Sequence, residues 1–145
     1  EELKMEKAAV IYWSGTGNTE IMAQEIFNGI KKAGMEADIF NVSNFSGDIS
    51  EYSKIAFGCS AMGDEVLEEA EFEPFYESIE GKISGKKVAL FGSYGWGDGK
   101  WLRDWVERAR GKGAAVYGDG LMVNGTPDDE GKAHCVEFGE GFAKF

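Results

Sequence analysis

The stretch Trp13-Ser14-Gly15-Thr16-Gly17-Asn18-Thr19 follows a short apolar run and precedes a segment whose apolar residues recur at helical spacing. A glycine-rich turn between a strand and a helix presents unpaired backbone N–H groups at the positive end of the helix dipole. Because these two features together bind phosphate, the stretch predicts a phosphate site at the start of a helix. The alternative interpretation is an ordinary turn that caps a helix.

The same motif lacks the residues of two common nucleotide sites. It has no Gly-Lys-Ser/Thr ending, which excludes the phosphate loop of ATP and GTP enzymes, and Glu20 stands where a dinucleotide fingerprint needs its third glycine. Neutral hydroxyl and amide side chains take the place of a cation. They are Ser14, Thr16, Asn18 and Thr19. We therefore expect the single terminal phosphate of a mononucleotide.

Length and composition indicate one globular domain over residues 1–145. The net charge of −11 argues against nucleic acid and anionic membranes as partners, because the field of the protein repels both. No apolar run approaches the length of a membrane span. The 21 glycines are about double the usual share, which suggests that backbone approaches a ligand in several places.

The N-terminus and the cysteines indicate where the protein acts. Residues 1–7 lack the apolar core of a signal peptide, so we expect a cytoplasmic location and read these residues as a non-native or linker extension. Cys59 and Cys135 are expected to be reduced thiols rather than a disulfide. Cysteine and histidine show no metal-ligand spacing, and we assign His134 no role.

Alternating apolar strands and amphipathic helices predict a doubly wound, five-stranded parallel sheet with helices on both faces. The predicted strands are Ala8–Trp13, Ala37–Val42, Lys54–Cys59, Lys87–Gly92 and Ala114–Val123. The predicted helices are Asn18–Ala33, part of Glu65–Glu80, Gly99–Arg110 and Asp128–Phe145. Ligands of such sheets bind beyond the carboxyl ends of the strands, so the loops after strands one, three and four should form the site.

The loops after strands three and four each carry a large polarizable side chain between small residues. They read Cys59-Ser60-Ala61-Met62-Gly63-Asp64-Glu65 and Ser93-Tyr94-Gly95-Trp96-Gly97-Asp98-Gly99. A tryptophan flanked by glycines has little to pack against unless a planar ligand supplies the surface. The alternatives are a Trp96 that folds back onto the core and a Met62 that fills a gap.

Taken in order, Ser14–Thr19, Met62–Glu65 and Ser93–Gly97 resemble the short-chain flavodoxins of anaerobic clostridia and their relatives. The resemblance extends from Ala8 over nearly the whole chain and is looser after Gly113. It departs most in Gly118–Asp129. It implies a flavodoxin-like fold and a non-covalently bound FMN.

The resemblance also implies the contacts of the cofactor. Ser14, Thr16, Asn18, Thr19 and Ser60 would hold the phosphate, and Ala61, Ser93 and Asn124 would lie along the ribityl chain. Met62 and Trp96 would enclose the isoalloxazine ring. Asp64 would meet its polar edge through the backbone N–H, Glu65 would accept from ring N3–H, and Gly95 and Gly97 would offer backbone. Gly15, Gly17, Gly63 and Tyr94 complete the predicted set.

Two features bear on the redox chemistry that the resemblance implies. Gly63 lets the turn after Met62 adopt two peptide orientations, one of which turns its carbonyl toward ring N5 and favours a neutral semiquinone. An acidic set, namely Asp64, Glu65, Glu68, Glu69, Glu71 and Glu73, disfavours the reduced anion. We therefore expect a low-potential one-electron carrier that cycles between semiquinone and hydroquinone and replaces ferredoxin. It would be a monomer, not an enzyme, and redox partner proteins would dock at the acidic rim.

Three other functions share part of this sequence pattern. An FMN-dependent NAD(P)H or quinone oxidoreductase usually needs extra loops or a dimeric substrate pocket, for which this compact chain has no spare segment. A flavodoxin module of a larger redox protein stays open. A phosphoacceptor signalling domain is set aside, because Trp13-Ser14 and Gly58-Cys59 stand where its acidic residues would be needed.

Overall fold

In the computed structural model, which describes residues 6–145, parallel strands alternate with helices along the chain. The strands are β1 (Lys7–Trp13), β2 (Glu36–Asn41), β3 (Lys54–Cys59), β4 (Lys87–Tyr94), β5 (Ala115–Val116) and β6 (Leu121–Asn124). The α-helices are α1 (Asn18–Lys32), α2 (Phe72–Ile79), α3 (Lys100–Gly111) and α4 (Asp129–Lys144). Short 3-10 turns occupy Val42–Asn44, Ile49–Glu51 and Glu80–Lys82. The predicted doubly wound parallel sheet is confirmed.

The sheet order places the loops that carry the sequence motifs side by side. The strands lie in the order β2-β1-β3-β4, and both β5 and β6 pair with β4 in parallel. From β1 the chain passes through α1 to β2 at one edge, and it then returns to β3 on the other side of β1. This reversal opens a crevice beyond the carboxyl ends of β1 and β3, which is where ligands of such sheets bind.

The predicted fifth strand, Ala114–Val123, is divided in the structure. Residues 117–120 form a turn between β5 and β6, and Gly118 and Gly120 in it have positive φ angles of 57° and 84°. A strand does not accommodate such angles, so the ladder beside β4 is interrupted there. The apolar pattern of this segment did not show the break.

The beginning of the described chain belongs to the sheet. Lys7 is the first residue of β1, and its Nζ atom lies 2.9 Å from Asp38 Oδ2 on β2. Residues 1–5, part of the predicted extension, lie outside the described residues. Among residues 6–145, no helix has both the length and the apolar character that crossing a membrane requires.

Alternation along the strands divides the core between the two faces of the sheet. On β1, Ala9 and Ile11 join a cluster with α2 and α3, whereas Ala8 and Val10 join a cluster with α1 and α4. The apolar faces predicted for the two helices of the first cluster are buried, apart from the partly buried Phe75. Those buried residues are Phe72, Tyr76 and Ile79 of α2, and Trp101, Leu102, Trp105 and Val106 of α3.

On the opposite face, two glycines bring α1 and α4 into backbone contact. A Cβ atom on Gly29 would collide with the carbonyl of Val136, and one on Gly139 would collide with the carbonyl of Ile26. Because the obstructing atoms are backbone, neither collision can be relieved by a rotamer change. The two glycines therefore fix how closely α1, which starts at the phosphate motif, packs against α4.

We expect Gly29→Ala and Gly139→Ala each to lower the free energy of unfolding by about 1–3 kcal/mol, because the two helices must separate. The matched control is Gly111→Ala in α3, where a new Cβ would meet no atom within 4 Å. That variant should be more stable than the parent by about 0.5–1 kcal/mol, the usual gain from glycine to alanine in a helix. Urea unfolding monitored by circular dichroism measures all three. Equal effects of the three substitutions would contradict the packing argument.

Candidate functional site

A cleft of about 350 Å³ opens at the carboxyl ends of the strands, within the size range of ligand sites. The ends of β1 and β4, the start of α1 and the loops after β1, β3 and β4 supply its walls, and the loop after β6 supplies one residue. The lining residues are Trp13, Gly15, Thr16, Asn18, Ser60, Ala61, Met62, Gly63, Ser93, Tyr94, Gly95 and Gly125. Among the residues that the structure describes, this lining carries no charged side chain.

The loop after β1 leaves the N-terminus of α1 open toward the cleft. Gly17 is the N-cap residue with a φ of 97°, and within residues 6–145 no side chain caps the helix there. The first helical hydrogen bond of α1 is donated by the N–H of Ile21 to Gly17 O, at 3.1 Å. The amide groups of the first turn are thus available to an anion. Ser14 Oγ accepts from Gly17 N at 3.1 Å, which leaves the hydroxyl proton free to donate.

Thr19, in the first turn of α1, links this loop to the other two. Its Oγ1 lies 2.7 Å from Ser60 Oγ and 3.0 Å from Ser93 Oγ, and it accepts from Ser93 N at 3.1 Å. The Thr19 side chain is fully buried. Ser60 and Ser93 both line the cleft, so the threonine lies behind them rather than in the wall.

The loop after β3 forms a tight turn over residues 62–65. Glu65 N donates to Met62 O at 2.8 Å, and the positive φ angle of the turn, 53°, falls on Glu65 rather than on Gly63. Met62 lines the cleft. The Glu65 carboxylate accepts from the backbone N–H of Lys100 at 3.0 Å and so binds the start of α3.

The loop after β4 exposes the predicted aromatic residue. Trp96 is 65% exposed and does not line the cleft, so it does not fold back onto the core. Asn124 at the end of β6 supports this loop through its Nδ2, which donates to Tyr94 O at 3.4 Å and to Gly95 O at 3.5 Å.

The structure brings most of the predicted site residues together in one wall or directly behind it. Those that line the cleft are Gly15, Thr16, Asn18, Ser60, Ala61, Met62, Gly63, Ser93, Tyr94 and Gly95. Those that do not are Ser14, Gly17, Thr19, Asp64, Glu65, Trp96, Gly97 and Asn124. Their roles toward a cofactor stay predictions.

Sequence reasoning missed three residues of the cleft region. Trp13 lines the cleft and donates its Nε1–H to Glu71 Oε1 at 3.3 Å. Gly125 also lines it, with a φ of 69°, and Thr126 donates to Asn18 Oδ1 at 2.9 Å. The dipeptide Asn124-Gly125 is a turn signal that could have pointed to this loop. No sequence signal indicated the contact of Thr126 with Asn18.

Two carboxylates of the predicted acidic set, those of Glu73 and Glu68, each have several partners inside the fold. Glu73 makes a bidentate pair with the Arg108 guanidinium, at 2.9 and 2.6 Å, and Glu80 shares that guanidinium. Glu68 is buried, and its carboxylate accepts from the N–H groups of Ala70, Glu71 and Phe72 at 2.7–2.9 Å.

The Glu68 carboxylate holds the segment between β3 and α2. Burial opposes its ionisation, but the three backbone N–H bonds outweigh burial and lower its pKa below the usual 4.5. A charged carboxylate at this place also satisfies amide groups at the start of α2 that no helical acceptor reaches. Glu68 therefore acts as an internal cap and is not part of an exposed acidic surface.

We expect Glu68→Gln to lower the free energy of unfolding at pH 7 by about 1–3 kcal/mol, because buried N–H groups lose a charged acceptor. The folded-state pKa of Glu68 is below its unfolded value, so its contribution is present above pH 4.5 and is lost as the pH falls through the folded pKa. Urea unfolding between pH 7 and pH 3 should therefore show a shallower acid loss for the variant. The exposed neighbour Glu69 provides the control, and an equal effect of Glu69→Gln would refute the capping role.

Both cysteines are free and buried, which confirms the expectation of reduced thiols. Burial raises the pKa of Cys59 to about 12 and that of Cys135 to about 12. Cys59 Sγ accepts from Glu68 N at 3.4 Å, so this thiol helps to hold the same segment. Both groups are protonated at neutral pH and are therefore poor nucleophiles.

Comparison with known proteins now gives the family. The flavodoxin family model matches residues 10–139. The chain is 56% identical over 135 residues to the flavodoxin of Clostridium beijerinckii, covering 92% of this chain and 97% of that protein. The chain belongs to the flavodoxin family. It is also 45% identical over 137 residues to the flavodoxin of Megasphaera elsdenii, covering 93% of this chain and 97% of that protein.

Structural similarity agrees with this membership. The solution structure of two-electron reduced Megasphaera elsdenii flavodoxin superposes with a TM-score of 0.85 at 43% identity, covering 95% of this chain and 99% of that one. Membership in the flavodoxin family confirms the expected cofactor, FMN, and the expected function of an FMN electron carrier. It also confirms that the protein transfers electrons between redox partners rather than acting as an enzyme.

Proposed function

We propose that this flavodoxin is a low-potential one-electron carrier that binds FMN in the cleft beyond β1, β3 and β4. The observation that carries the proposal is an anion site built from uncharged groups at the open N-terminus of α1. A phosphate is attracted there by N–H dipoles and hydroxyl groups, and none of the lining residues within 6–145 is a cation that would reduce the negative charge of the complex. The described residues fit the phosphate end of FMN on these grounds.

The residues of the first loop would hold the phosphate in two ways. The unpaired backbone N–H groups of the first turn of α1, including that of Thr19, would donate to its oxygens. The hydroxyls of Ser14 and Thr16 and the side chain of Asn18 would add neutral hydrogen bonds, joined by Ser60 from the second loop. The free proton on Ser14 Oγ, left by the bond from Gly17 N, supports this assignment.

The later loops would hold the ring. Met62 lines the cleft, and the exposed Trp96 directly follows Gly95, which also lines it. Covering an aromatic face with a planar ring adds about 0.5–1.5 kcal/mol beyond area burial, which would account for an otherwise costly exposed tryptophan. Ala61, Tyr94, Gly95 and Asn124 would lie along the rest of the molecule. When bound, FMN supplies the electron-accepting group.

The charged side chains around the cleft would determine the redox potential of the bound FMN. The carboxylates of Asp64, Glu69 and Glu71 are exposed, and Lys100 and Arg103 near the same loops are paired with Asp104 and Asp98. At an effective dielectric near 20, a unit charge about 10 Å away raises the energy of a second like charge by about 1–2 kcal/mol. A further negative charge on the bound cofactor is therefore disfavoured, and the second electron should enter at low potential.

The test is a reductive titration of the protein loaded with FMN. We expect two separate one-electron steps, with the second at the lower potential. Purified protein should be yellow and should release FMN on denaturation. A single two-electron step would overturn the proposed carrier function, whereas a protein that takes up no FMN would overturn the proposed site as well.

A separate binding experiment tests the ring side of the site with Trp96→Ala, which should weaken FMN binding about tenfold because it removes a stacking surface. Fluorescence quenching of free FMN measures the affinity. Phe145→Ala removes another exposed aromatic side chain, at the C-terminus, and serves as the control. An unchanged affinity in Trp96→Ala would show that this residue does not contact the ring.

We further propose that basic redox partners dock around the cleft mouth, at an acidic rim formed by Asp64, Glu65, Glu69 and Glu71. The chain carries a net charge of −11, which favours encounter with basic proteins. Val66 and Trp96, exposed by 42% and 65%, supply apolar surface beside the rim. The carrier would act as a monomer in the cytoplasm, and its two protonated thiols fit a reducing compartment.

Electron transfer to a basic c-type cytochrome should slow as salt is added, because steering is screened. The double variant Asp64→Asn/Glu69→Gln should lower the rate at low salt by about tenfold. The variant Glu36→Gln/Glu51→Gln changes the same two units of charge at exposed positions near the opposite ends of the strands, and it should retain most of the rate. Identical rates for the two variants would contradict docking at the rim, and sedimentation at 15.9 kDa tests the monomer.

A further inference from the structure

The indole of Trp101, in the first turn of α3, contacts the strand end from which the loop after β3 departs. Its Nε1–H donates to Cys59 O at 3.1 Å, and the side chain is buried. Cys59 is the last residue of β3, whereas the pairing of β3 with β4 stops one position earlier, at Gly58 and Phe91. The indole therefore holds β3 at a position that the ladder with β4 does not cover.

The same indole packs against the end of β4. The centroid of its ring lies 5.8 Å from that of Tyr94, the last residue of β4, and Tyr94 lines the cleft. A Cβ atom on Gly92 would collide with the carbonyl of Cys59 and would come within 3.1 Å of the Trp101 ring. The two strand ends and the indole thus pack without room for one methyl group, so a shift of one must move the others.

We propose that Trp101 is a positioning residue that sets the loops after β3 and β4 relative to each other, and with them the surface that receives the FMN ring. This inference rests on the proposed FMN site. The neighbouring residue acts on the same loop, because the backbone N–H of Lys100 donates to Glu65 Oε1 at 3.0 Å. Trp101 does not line the cleft, so it acts through Cys59 and Tyr94.

Trp101→Phe tests this role, because phenylalanine keeps an aromatic ring against Tyr94 and removes the N–H that Cys59 O accepts. Trp105→Phe is the matched control. Trp105 lies one turn later on α3 and is equally buried, and among residues 6–145 its Nε1–H has no hydrogen-bond partner. Both variants lose the same side-chain volume from the same cluster of the core. Only Trp101→Phe also loses a hydrogen bond to a strand end.

The first measurement is amide hydrogen exchange in the ligand-free protein. Ala61 N donates to Ser93 O at 3.0 Å and so joins the two loops. Relative to the amide of Val10 in the core of β1, its exchange should speed up about tenfold in Trp101→Phe and stay within about twofold of the parent in Trp105→Phe. The second measurement is the affinity for FMN and for riboflavin, which lacks the phosphate. Trp101→Phe should weaken both by about tenfold, and Trp105→Phe should change neither by more than about twofold.

Equal effects of the two variants on the Ala61 amide and on flavin affinity would indicate a general loss of stability and would overturn the positioning role. If Trp101→Phe weakens FMN and leaves riboflavin unchanged, the residue acts at the phosphate end and the proposal is also wrong. A parent protein that binds neither flavin contradicts the proposed FMN site, and the Ala61 amide then decides whether Trp101 sets the loops.

A measurement on the parent protein decides the case if Trp101→Phe does not fold. Bound FMN should hold the two loops together, so it should slow the exchange of the Trp101 indole N–H about tenfold more than that of the Trp105 indole N–H. Equal slowing of the two indole protons would contradict a specific link between Trp101 and the loops.

Discussion

The open N-terminus of α1 is the constraint around which the site is arranged. A left-handed glycine ends the loop after β1, and within residues 6–145 no side chain caps the helix that follows. Uncapped amide groups at the positive end of a helix dipole favour the binding of an anion. When no anion is bound, water satisfies these groups. The sheet order places this helix end at the reversal between β1 and β3, so the later loops converge on the same point.

Charge is distributed so that the interior of the cleft stays neutral while the surface beside it is negative. Glu68 and Glu73 look like members of the acidic surface in the sequence, but one caps the start of α2 and the other pairs with Arg108. Asp64, Glu69 and Glu71 remain exposed. An anion held by dipoles alone keeps its full negative charge, and a second reduction beside it becomes harder for the same reason. The fold therefore uses its carboxylates for two separate purposes.

Most of the fold followed from hydrophobic periodicity and from the glycine-rich turns. The strand Lys54–Cys59 is confirmed at both ends, because it is buried on both faces and therefore reads as a continuous apolar run. The break at residues 117–120 could not be predicted from the sequence, because the neighbouring apolar residues are compatible with one longer strand.

The part of the site that depends on backbone geometry could be predicted from the sequence. The part that depends on which side chains pair with each other could not. The glycine-rich turn before α1 was predicted, and Gly17 at its end has a φ of 97°. Glu65, in contrast, binds the amide of Lys100, and Thr126 bonds Asn18 across more than a hundred residues. Such pairings depend on how loops meet in space, and local sequence carries no signal for them.

The contact of Gly29 and Gly139 with opposing backbone has a consequence for motion. Two helices that touch main chain to main chain cannot slide past each other without losing that contact, so α1 and α4 behave as one rigid block. The start of α1, which lines one side of the cleft, belongs to this block. The other side is formed by the loops after β3 and β4 and by the end of β4. The first turn of α1, where we propose that the phosphate binds, therefore keeps its position relative to α4.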